Sequence, residues 1–424
     1  MPRMKSGVTA LRSLATLLTL AGSAAVADPA NLAAGPWRGE IGLNGQMVPF
    51  NFEVIRESGS LAVHYLNGAE RMPVELVSAD GNSLAFDFPS FAATLRATHD
   101  GSSMRGTIGL LRQNSRHELP FSARQGPRYR FFATPSQKPD RVDGIWSMTI
   151  SDPTDGDEEA AIATFTQQGA ALAGSVLTAT GDQRYLAGEM RDSTLLLSAF
   201  DGGGVRLWRG ELGADGVLRG TLDTVTSVAT PWIARRDANA ALGDPRTMTG
   251  MKAGAGPLAF SYPDMDGRNV SLADAAYDGK VVLVILAGSW CATCHDEARV
   301  MGPIYAEYAS RGLEVLYLMY EYTADFAAAK PQLSAWRRRF AIEHPMLFVG
   351  DTGRDTRGRS LPMLTDVVAF PTTIFVDRAG QVRTILTSFP GPATGEPHEA
   401  YKRDFRRTVE ALLAEPPPAN SRTG

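Results

Sequence analysis

From about residue 36 to residue 236, apolar and polar positions alternate in short runs. Turns rich in glycine interrupt them at Glu57-Ser58-Gly59, Ala79–Asn82, Asp100–Ser102, Asp201–Gly204 and Ala214–Gly216. A period of two puts apolar side chains on one face of a strand, and Asp-Gly or Gly-Gly between such runs predicts antiparallel hairpins. No long helical period interrupts this half. Beyond a turn-rich tract, Arg235–Pro257, the grammar changes. Val281–Leu286 predicts a buried strand, Asp296–Arg311 a helix, Leu313–Tyr320 a strand, Phe326–Phe340 a helix and Met346–Val349 a strand. Thr373–Val376 and Val382–Leu386 predict a hairpin around Asp377–Gly380, and Tyr401–Ala414 a closing helix. Strands alternating with helices imply a sheet with parallel pairs and helices on both faces.

The alternating half repeats itself weakly. Gly35-Pro36-Trp37 is echoed by Gly144-Ile145-Trp146, Asn51-Phe52-Glu53 by Thr164-Phe165-Thr166, Ser83-Leu84 by Thr194-Leu195, and Arg105-Gly106-Thr107 by Arg219-Gly220-Thr221. The offsets run from 109 to 114 positions, which predicts two copies of one small barrel or sandwich joined at Pro135–Asp140.

Composition narrows the setting. Arg3, Lys5 and Arg12 precede the uncharged Ser13–Ala27, and Ala25-Val26-Ala27 offers a small-residue cleavage site before Asp28. Residues 1–27 therefore read as a secretory leader, which predicts a periplasmic or otherwise exported protein; about 20 apolar residues would be needed to span a bilayer. The net charge of −4, with signs interspersed, argues against nucleic acid. The acidic stretch Asp152–Glu159 reads as a solvated turn, and Arg337-Arg338-Arg339 as a solvated helix face.

The chain's two cysteines both lie in Trp290-Cys291-Ala292-Thr293-Cys294, directly after the predicted strand Val281–Leu286. Two thiols so spaced at a strand-to-helix junction can cycle between dithiol and disulfide. Cys291, at the helix start, where free N–H groups favour a thiolate, is expected to attack; Cys294 is expected to resolve the mixed disulfide. Glu297, on the same helix face as Cys294, is a candidate proton carrier, or else a carboxylate complementing the helix dipole. His295 reads as a solvated helix residue. Other readings of the pair stand beside this one. Zinc lacks two further paired ligands, Cys291–His295 spells the c-type haem signature, and a two-residue loop makes a weak structural disulfide. Pro371, between Phe370 and the β-branched run from Thr372, is well placed for a cis peptide lining the site.

Together these segments resemble the thioredoxin-like TlpA/ResA family of exported thiol–disulfide oxidoreductases, over roughly Gly256–Glu415. The resemblance rests on Phe260–Leu272, Asp278–Val284, Trp290–Cys294, Gly312–Tyr317 and Phe370–Thr373. It implies Cys291 and Cys294 as the catalytic pair, Pro371 as the cis-proline and Glu297 as the active-site glutamate. Trp290, Phe370 and Thr372 would position the substrate. It further implies protein thiols or disulfides as substrates, apocytochromes among them, a membrane thiol transporter as electron donor, and no cofactor or metal. Ala292-Thr293 and His295 depart from the usual pattern.

The expected architecture is thus an α/β thioredoxin-like C-terminal domain (258–415) preceded by an all-β region of two small antiparallel units (28–134 and 141–236). Residues 237–257 form a linker and 416–424 a disordered tail. The competing reading makes the β half a binding module for a peptide or apolar ligand, with the thioredoxin-like domain as docking or redox-sensing unit.

Overall fold

The computed structural model describes residues 31–57 and 60–417. The expected leader, residues 1–27, and the expected tail from residue 418 on lie outside the described residues.

The first β-unit contains β1 (Gly35–Leu43), β2 (Gln46–Glu57), β3 (Ser60–Asn67), β4 (Glu70–Pro73), β5 (Leu76–Asp80), β6 (Ser83–Phe88), β7 (Ala93–His99), β8 (Ser103–Arg112) and β9 (Ser115–Gln125). They pair in the order β4-β3-β2-β1-β9-β8-β7-β6-β5, antiparallel throughout. The second unit contains β10 (Gly144–Ser151), β11 (Glu158–Gln168), β12 (Ala171–Thr178), β13 (Gly181–Asp182), β14 (Leu186–Arg191), β15 (Thr194–Phe200), β16 (Val205–Leu212), β17 (Val217–Thr224) and β18 (Thr230–Arg236). It repeats the same order strand for strand, so the four sequence echoes lie on matching strands.

The units differ in closure. In the second, Ala171–Gly174 of β12 pairs with Leu186–Glu189 of β14, which closes an eight-stranded barrel. In the first, β4 and β5 remain unpaired edges. Phe200, Val205 and Leu207 of the second unit complete the first unit's core, Phe200 lying 5.1 Å from Phe50 and 4.9 Å from Tyr65 between ring centroids. Arg130, buried in the connection between the units, donates to Ser198 Oγ of one and to Leu66 O and Asn67 Oδ1 of the other. The open side of the first unit's core is thus filled by side chains of the second.

The C-terminal domain begins with a short hairpin, β19 (Ser261–Pro263) and β20 (Asn269–Ser271). Its main sheet comprises β21 (Val281–Ala287), β22 (Leu313–Glu321), β23 (Met346–Asp351), β24 (Thr372–Val376) and β25 (Val382–Thr387), in the order β23-β22-β21-β24-β25. β21, β22 and β23 run parallel, while β24 and β25 are antiparallel. Helices α1 (Ala292–Tyr308), α2 (Phe326–Arg339) and α4 (Glu396–Ala414) bury Ile304, Leu333 and Val409 against one face. The opposite face is covered by Leu258, Phe260 and the segment after a short α3 (Arg354–Ser360), through Leu361, Leu364 and Val367. The long helices thus share one face, because both parallel crossovers move outward from β21 in the same direction and share one hand. The α3 turn was not anticipated, and α4 starts five residues before the expected Tyr401, with Pro397 in its first turn.

Candidate active site

All seven residues of β21 are buried, and the strand delivers the chain to the turn Gly288-Ser289-Trp290. A Cβ at Gly288 would come within 2.3 Å of Trp290 Nε1 and 2.6 Å of Tyr320 O, so only glycine fits. Ser289 donates through its N–H and hydroxyl to Glu321 (2.9 and 2.6 Å), and Trp290 Nε1 donates to Tyr320 O at 2.8 Å. These bonds tie the turn to β22. Glu321 is wholly buried, and desolvation raises its carboxyl to about 7 despite the serine bonds.

Cys291 caps α1, and the Cys294 N–H donates to Cys291 Sγ at 3.2 Å. Helix-start donors therefore point at the sulfur. Both cysteines are free thiols, 6% and 1% exposed. Burial, then the hydrogen bond to Cys291 and the charge of Glu297, push the Cys294 thiol well above the ordinary range. Glu297, 1% exposed, accepts from Thr373 Oγ1 at 2.8 Å, while its Oε2 has no partner. Desolvation raises its carboxyl to about 7. A buried carboxyl that titrates near neutrality beside a thiol of raised pKa can exchange a proton with it.

The Phe370–Pro371 peptide is cis. Cys291 Sγ–H points to Phe370 O at 3.5 Å, and Thr372 Oγ1 donates to Ala369 O at 2.8 Å, fixing the approach to β24. Trp290 stacks on Tyr322 at 4.8 Å and meets Phe370 edge-on at 5.9 Å. Cys291, Cys294, Glu297, Trp290, Phe370, Pro371 and Thr372 thus fall on three adjoining elements: the β21–α1 turn, α1 and the start of β24.

Two expectations need correction. His295 is not solvated; it is 0% exposed, its Nε2 donates to Ser289 O at 2.7 Å, and its ring stacks on Phe91 at 3.8 Å and 6°. Burial, then the positive charge of Arg339, hold it well below its usual pKa, so it is neutral. With that ring enclosed and its Nε2 bonded, Cys291–His295 does not present the histidine that the haem reading needs. Arg339 also departs from the solvated face it was assigned to; it is half-buried and pairs with Glu75 of the first β-unit, while Arg337 and Arg338 stay exposed.

Sequence reasoning missed Glu321, Phe91, Arg184 and Tyr322. Glu321, the last residue of the β22 strand, could have been suspected as a charge ending an otherwise apolar run. The other three bear on the site through contacts between distant segments, which no local pattern encodes.

Residues 250–400 match the Redoxin family. The chain is 27% identical over 164 residues to the thiol-disulfide oxidoreductase ResA of Geobacillus thermodenitrificans, covering 39% of this chain and 80% of that protein. The ResA of Geobacillus kaustophilus gives the same figures. A solved thiol:disulfide interchange protein from Chlorobium tepidum TLS is 21% identical, with a TM-score of 0.29, and aligns over 38% of this chain and 98% of its own. Residues 250–400 are therefore a Redoxin domain of thioredoxin-like fold, similar to the ResA thiol–disulfide oxidoreductases.

Proposed function

We propose that the chain is a thiol–disulfide oxidoreductase working through Cys291 and Cys294. The observation that carries this is the pairing of a helix-capping Cys291 sulfur with a buried Cys294 whose thiol is backed by Glu297. Cys291, as thiolate, attacks one sulfur of a substrate disulfide; that S–S bond breaks, and the first substrate thiolate leaves and takes a proton from water. Cys294 gives its proton to the Glu297 carboxylate and attacks Cys291 Sγ. The mixed disulfide breaks, the second substrate half leaves as a thiolate that takes a proton from the Glu297 carboxyl or water, and Cys291–Cys294 becomes a disulfide. Two electrons have passed to the substrate, and an external dithiol restores the pair by the reverse exchange.

Export to the periplasm belongs to the same proposal and is supported by the leader pattern of residues 1–27. Among the described residues no helix is long and apolar enough to cross a membrane. The resemblance implied protein disulfides and a membrane thiol transporter as partners; the disulfide or thiol of any partner has to reach a Cys291 that is 6% exposed. The test is disulfide reduction by Cys291→Ser and Cys294→Ser variants. Cys291→Ser is expected to be inactive and Cys294→Ser to accumulate a mixed disulfide; activity retained in Cys291→Ser overturns the assignment.

A further inference from the structure

The redox motif is walled by the β half, position by position. Tyr322, on which Trp290 stacks, faces the Arg112 guanidinium and Gln113 at the β8–β9 turn. Ala292 packs against the core of the first β-unit. Thr293 lies under Gly181 of the second unit, where a Cβ would sit 3.7 Å from Thr293 Oγ1. His295 lies beneath Phe91, which comes from the turn after β6 and is itself 1% exposed. Asp296 pairs with Arg184 at 3.1 Å.

Arg184 is the junction of all three units. It is buried and binds Glu70 of the first unit at 2.6 Å as well as Asp296 of α1, with Asp201 of the second unit 3.8 Å away. Buried Asp182 lies beside it, both oxygens unpaired, and a Cβ at Gly391 would come within 3.0 Å of that carboxylate. Undocking the wall would expose Phe91 and leave several buried charges to find new partners, so the docked state is the resting one. The edge beside Cys291 that retains exposure is formed by Trp290 and Phe370, both half-buried.

Resting on the oxidoreductase reading, we propose that the β half is the outer wall of the redox site and a size filter for its reaction partners. It shuts out folded protein surfaces and admits low-molecular-weight disulfides and thiols along the Trp290–Phe370 edge. Phe91, Arg112, Gly181 and Arg184 set this limit. The chemistry is the exchange already written, with a small disulfide as electron acceptor and a small dithiol as donor.

The test uses the full chain, reduced. Labelling by iodoacetamide is compared with labelling by a 5-kDa maleimide–polyethylene glycol, each rate divided by that of the urea-denatured chain. The reduction rates of hydroxyethyl disulfide and of insulin are measured alongside. For the folded wild type, the bulky reagent is expected to fall behind the small one by about tenfold or more, as for a site reached only by opening. Hydroxyethyl disulfide is expected to be reduced and insulin not. Phe91→Ala should narrow the labelling gap, with Phe91→Leu, which keeps most of the volume, between the two. Equal normalised labelling of the wild type by both reagents, or insulin reduction matching that of the small disulfide, overturns the filter and leaves the oxidoreductase reading intact. A chain that reduces neither disulfide although iodoacetamide labels Cys291 overturns the oxidoreductase reading instead.

Discussion

Glu297→Gln isolates the cost of a buried carboxyl beside the redox pair. The folded chain raises this group from an ordinary 4.5 to about 7, chiefly by desolvation. At about 1.4 kcal/mol per unit, ionising it inside the fold costs roughly 3 kcal/mol more than in the unfolded chain. Because the folded state holds the proton more tightly, this group's stabilising share is complete below the unfolded carboxylate range. It is lost as the pH rises through about 7. Glutamine can still accept from Thr373 Oγ1, so the 2.8 Å bond survives while the titration disappears. Urea denaturation of the reduced chain at pH 5 and pH 9 gives four stabilities. Asp182 and Glu321, whose carboxyls also titrate near 7, remain in both chains and cancel in the comparison. The wild type should lose about 2.5 kcal/mol more than Glu297→Gln between the two pH values, a little of the total being already lost by pH 5. Equal losses in the two chains would refute the argument, since Glu297 would then titrate as an ordinary solvated carboxyl.

In the same variant, closure of the mixed disulfide by Cys294 should slow by about a hundredfold, measured by rapid quench and mass, if the carboxylate takes the proton. Arg184→Met removes the cation shared by half-buried Glu70 and by buried Asp201 and Asp296, which keep Arg206 and Arg299, and should cost about 3 kcal/mol in urea denaturation. Phe200→Ala opens a cavity in the first unit's core from the second unit's side, with an expected loss of about 3–5 kcal/mol. A single shared transition for both β-units in that variant's melt would reflect their common core, whereas two separated transitions would contradict it.

The parts of this molecule that announce themselves in sequence are those with local periods. Val281–Leu286 is apolar at every position because both its faces are covered, and the Cys291–Cys294 spacing follows directly from it. The Gly-rich turns and the 109–114-residue offset carried enough to place the echoed residues on matching strands. Closure was not legible, because the pairing of β12 with β14 in one unit and the open edges in the other arise from nearly the same alternation. The short α3, charged at four of its seven positions, offers no apolar stripe. The wall over the redox site was hidden for a different reason. Phe91, Arg184 and His295 are ordinary residues in their own neighbourhoods, and their meaning comes from partners 100 to 200 positions away. His295 looked solvated because a histidine early in a helix usually is, yet the Phe91 ring and the Ser289 carbonyl enclose it.

The most direct test of the account is a redox titration of the full chain against dithiothreitol, with the thiol state of Cys291 and Cys294 read by mass after acid quench. One reversible two-electron couple confined to that pair is expected, and a value near or below about −270 mV would mark a reductase. Failure of the two cysteines to form a reversible disulfide with each other at any poise would contradict it.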